Sequence, residues 1–341
     1  MKKTIHNYQT SLSVVESVLG KNLPSEGGTI KVNKTAFIVR KGILRQTSLM
    51  VKEDALTKFY GMHWRLPGAY DEMSSDKFQQ EMFKVFFPGF KKQVLKEVKA
   101  NNVIFDVGCG SGVAGRAYFG DSLRKARYVA IDMSLAIEQA KRDFAARNMV
   151  VGLVQAKIDS LPFPAASANF VFCPGVLHYT PDMQDAFKDL ARFLIKGGQL
   201  ISWIYKRQKP VRHLTDQYLR SVISKMGPRE AFEAVKPLTK LGIALGKMKQ
   251  KIVIPEDIPF LEIKAGKYDL QRFFYYHFMK LFYNPKLPFT RHVVNNWNAY
   301  YPAQVLFHTT DEIHRMVAGA GMKIEHSNDQ GNGVALIARK I

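Results

Sequence analysis

The sequence is short of several things that would narrow its class at once. Its 341 residues include only 2 cysteines, Cys109 and Cys173. That is too few for a disulfide framework or a zinc ribbon. No apolar run approaches the ~18 residues of a membrane span. The stretch Met1-Lys2-Lys3-Thr4-Ile5-His6 carries two lysines, but polar residues follow where a secretory signal needs an apolar segment. A soluble, cytoplasmic protein is therefore expected. Internal repeats and low-complexity tracts are missing too. Acidic residues are scarce, 29 against 50 basic ones, for a formal net charge of +21. What remains is ordinary: 46% hydrophobic, 12% aromatic and 23% charged residues. This excludes a wholly disordered or fibrous chain, and the length suffices for one large domain or two modest ones.

The positive charge points to an anionic partner, whether nucleic acid, an acidic membrane face or an acidic substrate. It is unevenly spread. Residues 1–100 carry a net +8 and residues 206–251 a net +9, whereas 101–205 and 252–341 carry +2 each. The excess thus lies in a leader and in one internal segment.

Between them the pattern is regular. Strand-like runs at 103–107, 128–131, 150–154, 170–173 and 200–205 alternate with helical stripes. Met183, Ala186, Phe187, Leu190, Ala191 and Leu194 form the cleanest stripe, at helical spacing. This alternation predicts an α/β fold with an open, mostly parallel sheet covered on both faces. Further on, Thr309-Thr310-Asp311-Glu312 reads as a capping box that opens a helix. Two more strand-like runs, 322–326 and 334–338, are joined by a turn-rich link, so the last strand is expected to pair antiparallel.

Asp106-Val107-Gly108-Cys109-Gly110-Ser111-Gly112 directly follows the first of these strands. Glycines there let the backbone approach a ligand without a Cβ in the way. Asp132 ends the next strand and can accept from both hydroxyls of a ribose; Asp159 follows the third and can accept from an adenine amino group. Three acceptors at successive strand ends suit an adenosine. Two alternatives stand beside this. The turn can be a plain tight connection, and Gly110-Ser111-Gly112-Val113-Ala114-Gly115 also fits the dinucleotide fingerprint of a NAD-binding protein.

These residues carry a family resemblance. The stretch Asn102 to Tyr205 resembles class I S-adenosylmethionine-dependent methyltransferases, of the subgroup with quinone and small-molecule methylases. It does so through Phe105–Gly112, Asp132, Asp159-Ser160-Leu161-Pro162-Phe163, Val176–Asp182 and Lys196-Gly197-Gly198. More weakly, Phe59–Trp64 is similar to a leader motif and Tyr300–Ala320 to a late helix of such enzymes. The resemblance implies a Rossmann-like, mostly parallel seven-stranded sheet with an antiparallel last strand, a helical cap insertion and an N-terminal extension. It divides the chain into a basic leader (1–75), a cofactor-binding core (76–205), a cap (206–308), and a last helix and strands (309–341). S-adenosylmethionine is the implied cofactor, held by Asp106, Gly108, Cys109, Gly110 and Gly112, by Asp132 and Met133, by Asp159 and Ser160, and by Cys173 and Pro174. No metal is implied. Two departures stand out: Asn169 occupies a position that is usually acidic, and no cysteine precedes Cys109.

Methyl transfer from a sulfonium needs an aligned acceptor and an excluded solvent; a hydroxyl acceptor also gains from a general base. His178, just past the fourth strand, is placed as that base, with Tyr179 beside it to orient an acceptor; both can equally be packing residues. There is no Asn-Pro-Pro-Tyr signature of the adenine and glutamine N-methylases, and Cys173-Pro174 reverses the order of the cytosine-C5 nucleophile. Arg212 and His213 in the cap, with Tyr301 and His308 near the late helix, are the substrate-binding candidates. The aromatic run 273–283 can be the cap's own core, a wall for a flat acceptor, or a stacking surface for bases. The Lys-rich run 236–251 can form an amphipathic helix on an acidic membrane. The expected task is methylation of an oxygen on a small, acidic or aromatic biosynthetic intermediate. An RNA methyltransferase that uses the basic segments is the alternative, and a NAD-binding Rossmann protein a further one.

Overall fold

The computed structural model describes residues 2–51, 55–63 and 72–341. Its centre is a sheet of β1 (Thr29–Val32), β2 (Thr35–Arg40), β3 (Ile43–Gln46), β4 (Val103–Val107), β5 (Arg127–Ile131), β6 (Gly152–Gln155), β7 (Ala168–Pro174) and β8 (Leu194–Tyr205). A separate hairpin, β9 (Lys251–Ile254) and β10 (Gly266–Asp269), stands apart, and β11 (Met322–Asp329) and β12 (Gly333–Lys340) return to the sheet. The order across it is β1-β2-β3-β6-β5-β4-β7-β8-β12-β11. β3 to β8 all run parallel, and β12 enters between β8 and β11, antiparallel to both. The antiparallel last strand and the doubly covered sheet are as expected. The strand count is not: ten strands stand where seven were expected, because the basic leader supplies β1 to β3.

The pattern of Val103–Val107 explains its place. All five residues are buried, as a central parallel strand between two helical layers requires. Val103, Phe105 and Val107 join one core layer and Ile104 the other, since alternate residues face opposite sides. The helix Met183–Phe193 buries Met183, Ala186, Phe187, Leu190 and Ala191 as the stripe predicts, and Asp182 caps it by accepting from the Asp185 amide at 2.9 Å. The capping box at Thr309 and Glu312 is present.

The leader divides its attachments. The helix Lys2–Leu19 lays Val14 and Val15 over β6, where Gly152 leaves room; a Cβ there would stand 3.1 Å from a Val15 methyl. Arg45 of β3 is buried and donates to Gln155 (2.7 Å) and to Glu138. The helix Ala55–His63 instead joins the cap, where Phe59 packs in one cluster with Val293, Trp297, Tyr300 and Tyr301. Trp64, which closes the leader motif, and residues 64–71 lie outside the described residues.

The segment expected to form a cap contains the helices Pro210–Ile223, Pro228–Ala234, Lys236–Lys247, Leu270–His277 and Phe289–Tyr300. The Lys-rich segment packs through its small residues: a Cβ on Gly242 would meet Leu281 at 3.1 Å, and one on Gly246 the Tyr283 ring at 2.2 Å. In the aromatic run, Phe273 and Tyr275 are buried and Phe273 belongs to a small core with Ile254 and Ile263. Among the described residues no helix is long and apolar enough to cross a membrane.

Asn169, the departure noted above, ties two central strands together: its Oδ1 accepts from the Val103 amide at 2.8 Å. An aspartate can accept the same bond. Asn169→Asp is therefore expected to keep wild-type stability, whereas Asn169→Ala leaves a strand amide unpaired and should cost about 1–3 kcal/mol, read as a shift in urea midpoint.

Candidate functional site

In a parallel sheet the binding crevice lies beyond the carboxyl ends of the strands, where the order reverses. Here the reversal falls between β4 and β7, and the glycine turn sits over it. Gly108, Gly110 and Gly112 have φ of 75°, 55° and 77°, in the left-handed region that L side chains rarely adopt. Space adds to the constraint. A Cβ on Gly108 would stand 2.3 Å from a Val176 methyl, and one on Gly112 2.5 Å from the Phe144 ring. The amides of Gly108 and Cys109 both donate to the Ile131 carbonyl, at 2.8 and 2.9 Å. Cys109 is buried and its thiol is pushed well above its ordinary value, mainly by burial; it is a turn residue and no nucleophile.

Asp132 locks the turn from the neighbouring strand. Its Oδ2 accepts from the Gly110 amide (2.8 Å), and its Oδ1 from the Ser134 amide (2.8 Å) and hydroxyl (2.7 Å). Burial raises its pKa and these bonds oppose the rise. Asp106 lies beneath the turn. Its Oδ2 accepts from the Tyr128 hydroxyl, while its Oδ1 is buried with no partner. Burial raises this carboxyl to about 7, against the partly offsetting bond from Tyr128. Gly115 makes the pairing possible, since a Cβ there would come within 2.0 Å of the Tyr128 hydroxyl.

The remaining expected cofactor residues gather at the adjoining strand ends. Met133 directly follows Asp132, and its carbonyl accepts from Gln155 at 3.2 Å. Asp159 is exposed in the short turn Ile158–Ser160, with the Ser160 hydroxyl donating to it at 2.7 Å. Cys173 is fully buried in β7, its carbonyl accepting from the Ser202 hydroxyl at 2.7 Å, and Pro174 is half-buried at the strand's end. The orphaned Asp106 oxygen, the glycine cradle and the acceptors at three strand ends fit an aminoacyl-adenosine cofactor. Among the described residues no group of three His, Cys, Asp or Glu is placed to hold a metal ion.

The acceptor side corrects one expectation. His178 is buried and stacks on Tyr205, with ring centroids 4.1 Å apart. Its Nδ1 lies 3.1 Å from the Tyr205 amide. An amide only donates, so Nδ1 is the acceptor and the neutral ring carries its proton on Nε2. Burial, with Lys280 and Arg220 nearby, pushes its pKa well below the usual histidine value. His178 is thus fitted to donate a hydrogen bond and poorly fitted to act as a general base. Tyr179 stands beside it, its hydroxyl buried near Tyr60 and Tyr205.

The substrate candidates divide. Arg212 is buried on the inner face of the helix Pro210–Ile223; its Nε donates to Asp216 at 3.2 Å and its guanidinium lies over the Tyr275 ring. His213, half-buried, meets Phe307 edge-on and sits 2.9 Å from Gln217. Tyr301 stacks on Phe59 inside the cap's own core, and His308 faces the capping Glu312 at 3.7 Å. His308, two residues after Leu306, also pairs with Lys206 just past β8, and the Leu306 amide donates to the His178 carbonyl at 2.8 Å.

Three further residues join that region: Asp216, Arg220 and Lys280. Arg220 lies over the Phe307 ring and Lys280 over the Tyr205 ring, with Lys280 Nζ 3.5 Å from the Tyr205 hydroxyl. Arg212, Arg220 and Lys280 are all at least nine-tenths buried. Removing a cation from water costs several kcal/mol even after relaxation, and an aromatic face returns only about 0.5–2 kcal/mol. One carboxylate among three such cations leaves positive charge uncompensated. The signal was present in the sequence, since Arg212, Asp216 and Arg220 repeat at every fourth position of one helix.

A glycine turn over a switch point, with carboxylates ending successive strands, has the layout of a nucleotide-cofactor site. Residues 105–202 match the family described as a methyltransferase domain, so this stretch is a class I S-adenosylmethionine-dependent methyltransferase domain, with S-adenosylmethionine as its cofactor. The chain is 27% identical over 173 residues to the uncharacterized methyltransferase YodH of Bacillus subtilis, covering 50% of this chain and 72% of that protein. It is 31% identical over 110 residues to a malonyl-[acyl-carrier protein] O-methyltransferase of Methylovorus, covering 30% of this chain and 36% of that one. It is 26% identical over 129 residues to a probable tRNA methyltransferase 9B of Homo sapiens, covering 37% and 26%. The matches thus span well under half of the two relatives with named acceptors. The NAD-binding alternative is set aside by this match.

A carboxyl whose pKa is raised on folding holds its proton more tightly when folded. Asp106 therefore favours the free protein at low pH and opposes it as pH rises from the ordinary carboxylate range to about 7. Asp106→Asn keeps an acceptor for Tyr128 and removes the titration. The variant's thermal midpoint, measured against wild type, is expected to gain between pH 5 and pH 8.

Proposed function

We propose that the enzyme methylates an oxygen of a small, acidic or aromatic biosynthetic intermediate held between the cap and the ends of β7 and β8. The observation that carries this reading is the enclosure of the acceptor side. His178, the Tyr179 hydroxyl and the three cap cations are buried, which suits a molecule that can be surrounded and not a polymer tracked along a surface.

When bound, S-adenosylmethionine supplies an activated methyl group on a sulfonium centre. The chain's own residues then do the following. Asp106, in its ionised form, accepts from the cofactor's ammonium through the oxygen that has no other partner. Asp132 accepts from the ribose while it pins Gly110, and Asp159 with Ser160 borders the adenine. His178 donates from Nε2 and, with Tyr179, orients the acceptor oxygen. An acceptor that enters already ionised needs no base, which agrees with a site rich in cations and without a basic histidine. The cap excludes water, which strengthens each of these interactions.

Hydrogen bonds to a charged partner contribute about 1.5–3 kcal/mol. Asp132→Ala should thus weaken S-adenosylmethionine binding roughly ten- to hundredfold by calorimetry, and unchanged affinity would show that the ribose is held elsewhere. For the acceptor, methyl-labelled S-adenosylmethionine is incubated with cell extract before and after RNase. Label in an organic-soluble metabolite is expected. Label lost with RNase would favour the RNA reading, which has the exposed basic helices and the likeness to a tRNA methyltransferase in its support.

A further inference from the structure

We propose that the inner face of the helix Pro210–Ile223, with Lys280 opposite, is a seat for an oxyanionic group, a carboxylate or a phosphate, carried by the acceptor. This rests on the acceptor binding beneath the cap.

The polar groups present leave that seat unfilled. Asp216 is engaged on both oxygens: its Oδ1 lies within hydrogen-bond reach of the Lys280 amide (3.1 Å) and the Tyr300 hydroxyl (3.0 Å), and its Oδ2 accepts from Arg212 Nε (3.2 Å). It acts as a positioning residue that fixes Arg212 and the chain at Lys280. The donors around it are not used up. Arg212 Nη1 and Arg220 Nε are buried and have no hydrogen-bond partner. Arg220 donates through Nη2 to the Ala299 carbonyl at 2.9 Å, which orients the guanidinium without neutralising it. Among the described residues Asp216 is the one carboxylate that acts on either guanidinium.

A structural ion pair would match each cation with an anion. This cluster pairs one of three and leaves donor atoms on two planar guanidinium groups without partners, the kind of group that recognises a carboxylate or phosphate. The place is also right for a substrate group. Lys280 and Arg220 both act on His178, and Lys280 reaches Tyr205 at the end of β8. Burial of all three cations selects a small anion over a polymer backbone.

Thermal shift of the full chain is measured with inorganic phosphate and with acetate, each at matched ionic strength against chloride. At least one of them is expected to raise the melting temperature, phosphate alone indicating a phosphorylated acceptor and acetate alone a carboxylate. Arg220→Met and Lys280→Met should each lower affinity for the effective anion at least tenfold, and Lys280→Met retains the backbone bond to Asp216. Lys280→Met is also expected to melt no lower than wild type without anion, because it removes a buried, uncompensated charge. Lys240→Met, on the exposed face of another cap helix, should leave the anion response intact. No shift with either anion, an equal loss in Lys240→Met, or an undiminished response in both seat variants would overturn the proposal. S-adenosylmethionine binding measured on the same samples separates the two claims. Cofactor binding without an anion response would remove the seat and keep the methyltransferase.

Discussion

The hydrogen bond from the Gly110 amide to Asp132 is the contact on which the rest of the site depends. It joins the turn after β4 to the end of β5, and the adjacent amides of Gly108 and Cys109 fasten the same turn to Ile131. With the turn held by its neighbour strand, the glycines can keep backbone angles that would otherwise be costly. The same fastening places Asp106 below the turn with one oxygen bonded to Tyr128 and the other unbonded. Binding capacity is therefore built into a rigid sheet edge and does not have to be assembled by a mobile loop.

Much of this was legible in the sequence, for identifiable reasons. A short strand-like run, apolar but for Asp106, is followed at once by glycines, and the carboxylates ending the next two strands lie at spacings that a parallel sheet dictates. The stripe from Met183 to Ala191 obeys helical periodicity because it packs against one flat surface. β1 to β3 were not legible in this way. Their pattern of Thr29–Val32 and Thr35–Arg40 is short, half-exposed and mixed with lysines, and only the pairing of β3 with β6 makes them part of the sheet. The role of Asn169 was likewise hidden, since a bond to the amide of Val103 leaves no trace in local pattern.

The acceptor side was harder to read for a different reason. Histidine beside a fourth strand reads as a base when only its position is known. The amide of Tyr205 decides its tautomer, and that contact depends on the twist of β8 and not on spacing. Tyr301 packs in the cap core with Phe59, and His308 lies both beside the capping Glu312 and against Lys206 just past β8. Arg220 escaped notice within a basic segment most of whose members are exposed or half-exposed, and Lys280 within the aromatic run. Their meaning comes from burial, a property of the assembled cap. The charge excess that marked the sequence is thus of two kinds, mostly solvated but with a few members, Arg212, Arg220 and Lys280 among them, withdrawn from water.

The parallel pairing of β3 with β6 has a consequence for how the chain comes into being. Arg45 and Gln155, bonded across this pair, are separated by 110 residues. At a synthesis rate of roughly 5–20 residues per second, β3 waits about 5–20 s for its partner to leave the ribosome. During that interval the meander of β1 to β3 has no sheet to join, and a pairing so distant in sequence is slow to find even afterwards. The lysines and arginines strewn through the same stretch give the waiting strands a repulsive surface toward other nascent copies. In that view, part of the charge that seemed addressed to a ligand guards the newborn chain.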